Sequence, residues 1–299
     1  VNVIFSGNAA PWAGALFNDG LVGKSSPTLA NVVFSGNAAT TYAGGAIFNF
    51  GAGGDSSPTM INVTFNGNTA KTAGGAISSQ GGSESGKSGK ASPALTNAIL
   101  WGNSAPSGAA IHMNNADLVL DASIVECGSA ALAQEGASAV TYTPSNREID
   151  PLLVQPISPS SAPTSTGDLR LQPESPALDS GNNSAIPAGI TTDLDNRQRI
   201  VNGTVDLGAF EFPELHLAGP TQLPGLIANV AATFQPVVHY GGYEKLAFSL
   251  AEAPENMTID LSSGLIGWTP QEADEGKSFP VTVAVNDGSQ FAETSFQVT

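Results

Sequence analysis

Six ionisable residues crowd one short stretch: Asp193, Asp195, Arg197, Arg199, Asp206 and Glu211. Two carboxylates spaced by two can face one loop centre, so Asp193 and Asp195 are candidate ligands for a calcium ion. The two arginines supply the counter-charge a metal would bring. They favour the plainer reading, a network tying the terminal turn onto the preceding coil. The three histidines, His112, His216 and His239, are scattered and offer no set of three or four zinc ligands. No GxSxG is present, no Ser-His-Asp order stands out, and the glycine-rich loops lack the strand–GxxxxGK[ST]–helix setting of a phosphate cradle. No catalytic residue is assigned.

Behind those residues lies a repeat. "NVIFSGN" (2–8), "NVVFSGN" (31–37), "NVTFNGN" (62–68) and "NAILWGN" (97–103) alternate with "GALFN" (14–18), "GGAIFN" (44–49), "GGAISS" (74–79) and "GAAIHM" (108–113). The first phrase recurs in steps of 29, 31 and 35 residues. "SPTL", "SPTM" and "SPAL" precede it at 26–29, 57–60 and 92–95. Three short apolar pieces per period of about 30, fenced by Gly, Pro, Ser and Asn, predict one turn of a three-sided coil. Stacked coils give a right-handed parallel β-helix. Val3, Val32, Val63 and Ala98 are expected to form one inward column. Phe5, Phe34, Phe65 and Leu100 form a second; Leu16, Ile47, Ile77 and Ile111 a third; Leu29, Met60 and Leu95 a fourth. Asn8, Asn37, Asn68 and Asn103 close the phrase, where a left-handed corner and a coil-to-coil amide ladder are expected.

Phe17 and Phe48 fall one residue past the third inward column and so point outward, with Ser78 and His112 after them. They are a candidate aromatic platform for a sugar ring or a neighbouring subunit. Cover by the adjacent insertions is the more ordinary outcome. "GGSESGKSGK" (81–90) reads as a flexible loop, "LVLDASIVECG" (118–128) as a fifth coil, "REIDPLLV" (147–154) as the start of another, and "SPSSAPTST" (158–166) as a linker. Cys127, the one cysteine, is expected to be a small buried apolar residue.

Bulk composition narrows the partners. Ten Lys and Arg stand against 26 Asp and Glu, a net charge of -16. Without a basic patch, nucleic-acid binding is excluded as an expectation, and an anionic membrane surface is disfavoured. No apolar run reaches the ~20 residues of a membrane span. Over residues 1–113 the only acids are Asp19, Asp55 and Glu84, all expected in loops between phrases, which argues against a glycosidase or lyase site. The chain opens in mid-phrase and stops in "SFQVT", so an ordered or processed part of a longer precursor is expected. Sequons at Asn62, Asn182, Asn202 and Asn256 carry little weight.

The alternating "FSGN" and "GGAIFN" phrases resemble the repeats of bacterial polymorphic outer-membrane proteins, mostly adhesins. Residues 150–212, with "GDLRLQPESPALDSGNN" and "TDLDNRQRIVNGTVDLGAFEF", resemble the choice-of-anchor Q region of secreted bacterial β-helix proteins. The stretch "KLAFSLAEAPENMTIDLSSGLIGWTPQEADEGKSFPVTVAVNDG" resembles Ig-like, cadherin-like bacterial modules. Phe248 and Asn256 stand where those modules carry Tyr and Gly, and Trp268 is in place. The combined expectation is an all-β chain. It has a right-handed parallel β-helix of about six coils over 1–213 and an Ig-like β-sandwich over 214–299. These resemblances imply an exported, extracellular cell-surface protein, structural or adhesive and not an enzyme, binding a glycan, a cell-surface partner or itself. Val1, Val3 and Phe5 form the edge along which head-to-tail assembly into a filament is expected, since no capping helix precedes them. The alternative is a polysaccharide-binding or polysaccharide-degrading secreted β-helix.

Overall fold

The computed structural model describes residues 1–84, 86–201, 203–213, 215–239, 245–288 and 290–299. It divides into two compact units, Val1–Phe212 and Pro213–Thr299.

The first unit is a parallel β-solenoid. On one face Val3–Ser6, Thr28–Ser35 and Thr59–Asn66 stack in register, followed by Ala94–Thr96 with Ile99–Trp101, by Leu118–Asp121 with Ile124–Val125, and by Val140–Tyr142. A second face stacks Leu16–Asp19, Ile47–Phe50, Ile77–Gln80, Ile111–Asn114 and Leu132–Glu135. A short corner ladder joins them through Ala9–Ala10, Ala38–Ala39 and Thr69–Ala70, with Ser104 bridged to Thr69. The full three-sided repeat therefore completes about four turns, not six. After Val125 the fifth round loses its corner strand, because the chain turns through left-handed Cys127 into the short 3-10 turn Gly128–Ala131. That same turn leaves Cys127 exposed rather than buried.

The predicted columns are the core. Val32, Val63, Phe34, Phe65, Ile47, Ile77 and Ile111 are fully buried. Phe34 stacks on Phe5 and Phe65 at 4.9 and 4.8 Å with rings within 4° of parallel. This matches the spacing of adjacent strands, so one residue type repeated at one position packs as a continuous rod.

Asparagine builds two polar rods beside the apolar ones. Asn2, Asn31, Asn62 and Asn97 open the phrase with φ of 55, 52, 52 and 56°, and at Asn31 and Asn62 this left-handed residue lies within a long strand of the first face. Their amides join coil to coil at 3.0, 3.3 and 2.9 Å. Asn8, Asn37, Asn68 and Asn103 make the expected ladder, with amide-to-amide bonds of 2.9 Å at each step. They are not left-handed, however. The positive φ falls on the glycine before each, Gly7, Gly36, Gly67 and Gly102, which has no Cβ to strain.

The second phrase is glycine-rich for two different reasons. Gly44 and Gly74 turn with φ of 75 and 65°. Gly45 and Gly75 instead lie where the next coil presses close: a Cβ on Gly45 would run into the Gly75 carbonyl, and one on Gly75 into the Ala109 carbonyl. Both obstacles are backbone and cannot step aside. Gly45→Ala is thus expected to cost about 1–3 kcal/mol through overpacking, read as a lowered urea midpoint. An unchanged midpoint would show that the coils are not held at this separation.

The insertion at 81–90 contains a hairpin, Gly82–Glu84 paired with Lys87–Gly89, rather than a featureless loop. Arg147 still bridges Ile124 in parallel, but no full further coil follows it over residues 147–212. Leu153–Gln155 pairs antiparallel with Asp168–Leu171, and the segment runs back along the outer side of the first face. Val33, Ile99 and Ile124 pack there against Leu153, Leu169, Leu207 and Phe210. Outward apolar positions on the coils demand this cover. Backbone groups fasten it: Asn182 N–H donates to Asn97 Oδ1 at 2.7 Å, Ile157 N–H to Asn66 Oδ1 at 2.6 Å and Ala209 N–H to Thr64 Oγ1 at 3.1 Å.

The second unit is antiparallel throughout its described strands. Ala247–Glu252, Phe279–Asn286 and Phe291–Val298 form one three-stranded sheet, the last two joined as a hairpin through Asp287 and Gly288. Ala232–Phe234, Ile266–Trp268 and Thr258–Ile259 form another, and His216–Ala218 pairs with Val237–His239. Phe234, Phe248, Trp268, Val281, Val283 and Val285 share its core.

Candidate functional site

The outward side of the second solenoid face carries the first candidate. The strand register sets Phe17 beside Phe48, Phe48 beside Ser78, Ser78 beside His112 and His112 beside Ala133. The predicted platform is only half present. Phe17 is 46% exposed, but Phe48 is 3% exposed. The cover is a ring, not an insertion loop: Trp12 meets Phe48 edge-on at 4.8 Å. Trp12 also stacks on Tyr42 at 4.2 Å, 18° from parallel. The exposed rings are therefore Trp12, Tyr42 and Phe17. "WAG" at 12–14 and "YAG" at 42–44 occupy the same step of the repeat, a signal that could have identified the pair.

Beyond Phe48 the face changes character. Ser78 replaces the aromatic ring, and a groove of about 300 Å³ opens between Phe48 and His112, rimmed by Gln80, Asn114 and Glu135. His112 faces outward as expected, yet it is buried in the groove wall. Its Nε2 lies 3.1 Å from Glu135 Oε1 and its Nδ1 3.4 Å from Ser78 Oγ. With Nε2 protonated, the ring donates to the carboxylate and accepts from the hydroxyl. Ser78 precedes His112 in the column read from the repeat, whereas Glu135 was not visible beforehand, because Leu132–Glu135 belongs to no copy of the phrase.

The second candidate is the ionic cluster of residues 193–211. Asp193 is fully buried. Its Oδ1 accepts from Asp195 N–H (2.9 Å) and Arg197 N–H (2.8 Å), and its Oδ2 from Glu211 N–H (2.8 Å). Burial raises its pKa against those bonds. Asp195 turns away to Arg170, accepting from Nε at 2.7 Å. That hydrogen bond holds the Arg170 guanidinium above its ordinary pKa. The two aspartates are thus spent on backbone turns and arginine, and not brought together around a metal position. No group of three or more His, Cys, Asp or Glu placed to hold a metal occurs among the described residues.

At the centre sits Arg199, 1% exposed. Its Nη2 donates to the carbonyls of Asp206 (2.9 Å) and Gly208 (2.8 Å), and its Nε lies 3.6 Å from Glu211 Oε2. Burial pushes Asp206 up to about 6 and Glu211 up to about 9, and it lowers Arg199. Dry carboxylates crowded together retain protons. This cluster locks the covering segment in place.

The third candidate is the edge. Val3–Ser6 pairs on one side, with Thr28–Ser35. Val1, Val3 and Ile4 are exposed, and Phe5 is partly buried against Phe34.

Residues 62–80 match the family model of the Chlamydia polymorphic membrane protein repeat. The match runs from "NVTFNGN" to "GGAISSQ", the third coil from its first face to its second. No curated protein and no solved structure matches the chain significantly. Repeat and fold agree on a β-solenoid, and the matched repeat is one of bacterial membrane proteins. No helix among the described residues is long and apolar enough to cross a membrane. Of the sequons, Asn62 is buried inside its amide ladder, and Asn202 lies outside the described residues.

Proposed function

We propose that the chain is part of an exported bacterial cell-surface protein with a structural and adhesive role, not an enzyme. On this reading the solenoid is the scaffold, the second unit is an Ig-like module, and copies associate end to end into an extracellular filament. The observation that carries it is the solenoid itself: one repeat stacked in register over about four turns, with residues 62–80 matching a bacterial membrane-protein repeat. Such a stack is a scaffold in which each coil pairs with its neighbours, and a contact between unlike surfaces of two copies would propagate. Membership of the repeat family's setting, a bacterial membrane or surface, supports export.

An enzymatic reading has less support. Ser78, His112 and Glu135 stand in a row, but Ser78 lies within Ile77–Gln80, an inner strand with ladder partners on both sides. Its backbone N–H groups are engaged there, so no pair of donors is left to stabilise an oxyanion.

Electron microscopy of purified protein over a concentration series tests the assembly. Fibres with a subunit-length repeat are expected. Dispersed particles at every concentration would end the filament reading.

A further inference from the structure

The corner ladder of the solenoid stops before the coils do. The fifth round touches the fourth at Gly102, whose N–H donates to Glu126 Oε2 at 2.7 Å, and again at Ala110, whose N–H donates to the Ala131 carbonyl at 3.1 Å. Between those contacts the fourth coil runs through residues 103–109, while the fifth crosses in the shorter stretch 127–130. The corner backbone is left open as a result. On the third coil the N–H groups reach forward: Asn68 to Asn103 Oδ1 (3.1 Å), Ala70 to the Ser104 carbonyl (3.0 Å), Gly74 to Ser107 (2.9 Å) and Gly75 to Gly108 (3.2 Å). Their counterparts on the fourth coil, Asn103, Ala105, Gly108 and Ala109, have no acceptor for the N–H among the described residues. The Asn103 side chain shows the same break. Its amide donates to the Phe65 carbonyl at 3.0 Å, as that of Asn68 does to Phe34, but then turns back to its neighbour's Trp101 carbonyl at 3.3 Å instead of forward to another asparagine. Beside this edge lies a cleft of about 190 Å³, with exposed Ala109, Cys127 and Ala130 at its mouth. It is smaller than sites for drug-sized molecules (about 300–1,000 Å³).

We propose that this corner is a strand-addition site: an extended segment of a partner polypeptide, carrying an asparagine followed by small residues, lies along residues 103–109 as the missing rung. In this mode main-chain hydrogen bonds supply affinity and side-chain pockets supply specificity. The ladder already present specifies the guest. Its rungs read Gly-Asn-Ala-Ala at 36–39 and Gly-Asn-Thr-Ala at 67–70. An asparagine Oδ1 on the guest accepts from the Asn103 N–H, as Asn103 Oδ1 accepts from Asn68. Small residues follow because Ala38, Ala39 and Ala70 are buried between rungs, where a larger side chain overpacks. Pro106 has no N–H, so the contact divides into two short pairings on either side of it. That interruption keeps the edge from recruiting long strands indiscriminately.

The site needs no contact between coil ends, so it stands apart from the filament. It rests on the adhesive reading, for which it names the partner's chemistry. Hydrogen exchange on the full chain tests it, with the peptide SGNAATTYA (residues 35–43) as the probe. Without peptide, the amides of Asn103, Ala105, Gly108 and Ala109 should exchange at least about tenfold faster than those of Asn68, Ala70, Gly74 and Gly75. Peptide at about ten times its Kd should slow them by about tenfold. The same peptide carrying Asn37→Leu should bind at least about tenfold more weakly. N-ethylmaleimide on Cys127, the chain's one cysteine and exposed, fills the mouth of the cleft without any substitution and should weaken binding likewise. The assignment is overturned if residues 103–109 stay unprotected, if the leucine peptide binds as well, or if the labelled chain binds undiminished. Protection that grows with chain concentration alone would make a second copy the occupant and overturn it too. Beads coated with the chain and offered to cells separate the two readings. Adhesion undiminished by the label removes the corner alone; peptide binding without adhesion removes the adhesive role alone.

Discussion

An Asn68→Ala chain is expected to lose about 3–5 kcal/mol of stability, the largest effect of any single polar truncation in the solenoid. The side chain is fully buried and bonded at both ends. Its Oδ1 accepts from the backbone N–H and the side-chain amide of Asn37, at 3.0 and 2.9 Å. Its amide donates to the Phe34 carbonyl and to Asn103 Oδ1, both at 2.9 Å. Truncation strands three buried groups at once: two donors of Asn37 and the carbonyl of Phe34. Each orphaned group costs about 1–3 kcal/mol, and water cannot enter to replace the bond. Asn68→Asp should be at least as damaging, since a carboxylate would face two acceptors. Asn8→Ala is the control. Asn8 lies on the end coil, where its bonds to Asn37 are only partly buried, and a loss below about 1 kcal/mol is expected. Urea denaturation of the three variants decides it. Equal losses at Asn8 and Asn68 would mean that burial of the ladder is not what gives it value.

The second large effect is expected at Arg199. Replacing it with Met preserves much of its volume but leaves Asp193, Asp206 and Glu211 without their shared cation. Breaking a buried ionic group from one side costs about 3–5 kcal/mol. The covering segment should then loosen, visible as faster hydrogen exchange at Asp179 and Phe212, whose N–H groups donate to Asp206. Adding Glu211→Gln to Arg199→Met should recover part of the loss above about pH 9, where Glu211 gives up its proton, and a double variant as unstable there as the single one would refute the shared-cation account.

The same cluster sets a pH dependence. Asp206 and Glu211 hold their protons more tightly folded, up to about 6 and about 9, than their ordinary values of 3.8 and 4.5. The folded state therefore binds more protons than the unfolded one between those limits. That contribution to stability is complete below about pH 4 and is lost as pH rises through 6 and then 9. The urea midpoint should fall from pH 5 to pH 9, and Glu211→Gln should flatten the decline. A midpoint rising over that range would contradict the burial that drives both shifts.

How much of this was legible in the chain follows from the kind of contact involved. The coils were legible because like stacks on like: a residue repeated about every 30 positions meets its own copy, as Phe34 meets Phe65. The amide ladder of Asn37, Asn68 and Asn103 was legible for the same reason. The glycine before each of these asparagines was less so, because a left-handed corner suits either residue and only backbone geometry says which one turns. The aromatic platform was placed on the correct face but with the wrong members. Phe48 was judged by its column, whereas its exposure is set by Trp12, reaching over from the preceding coil's corner.

By itself the sequence determined the all-β class, the parallel stacking and the inward columns, because each is a property of one period repeated. Only the tertiary structure decided where the stacking stops, what covers the first face and what opens the second. Residues 147–212 carry alternating apolar positions that suit a further coil as well as a covering layer. The choice turns on outward Val33, Ile99 and Ile124, which need burial from residues far along the chain. The column Phe48, Ser78 and His112 followed from the period, but the pairing of His112 with Glu135 did not, since Leu132–Glu135 repeats no earlier phrase and meets His112 through folding alone.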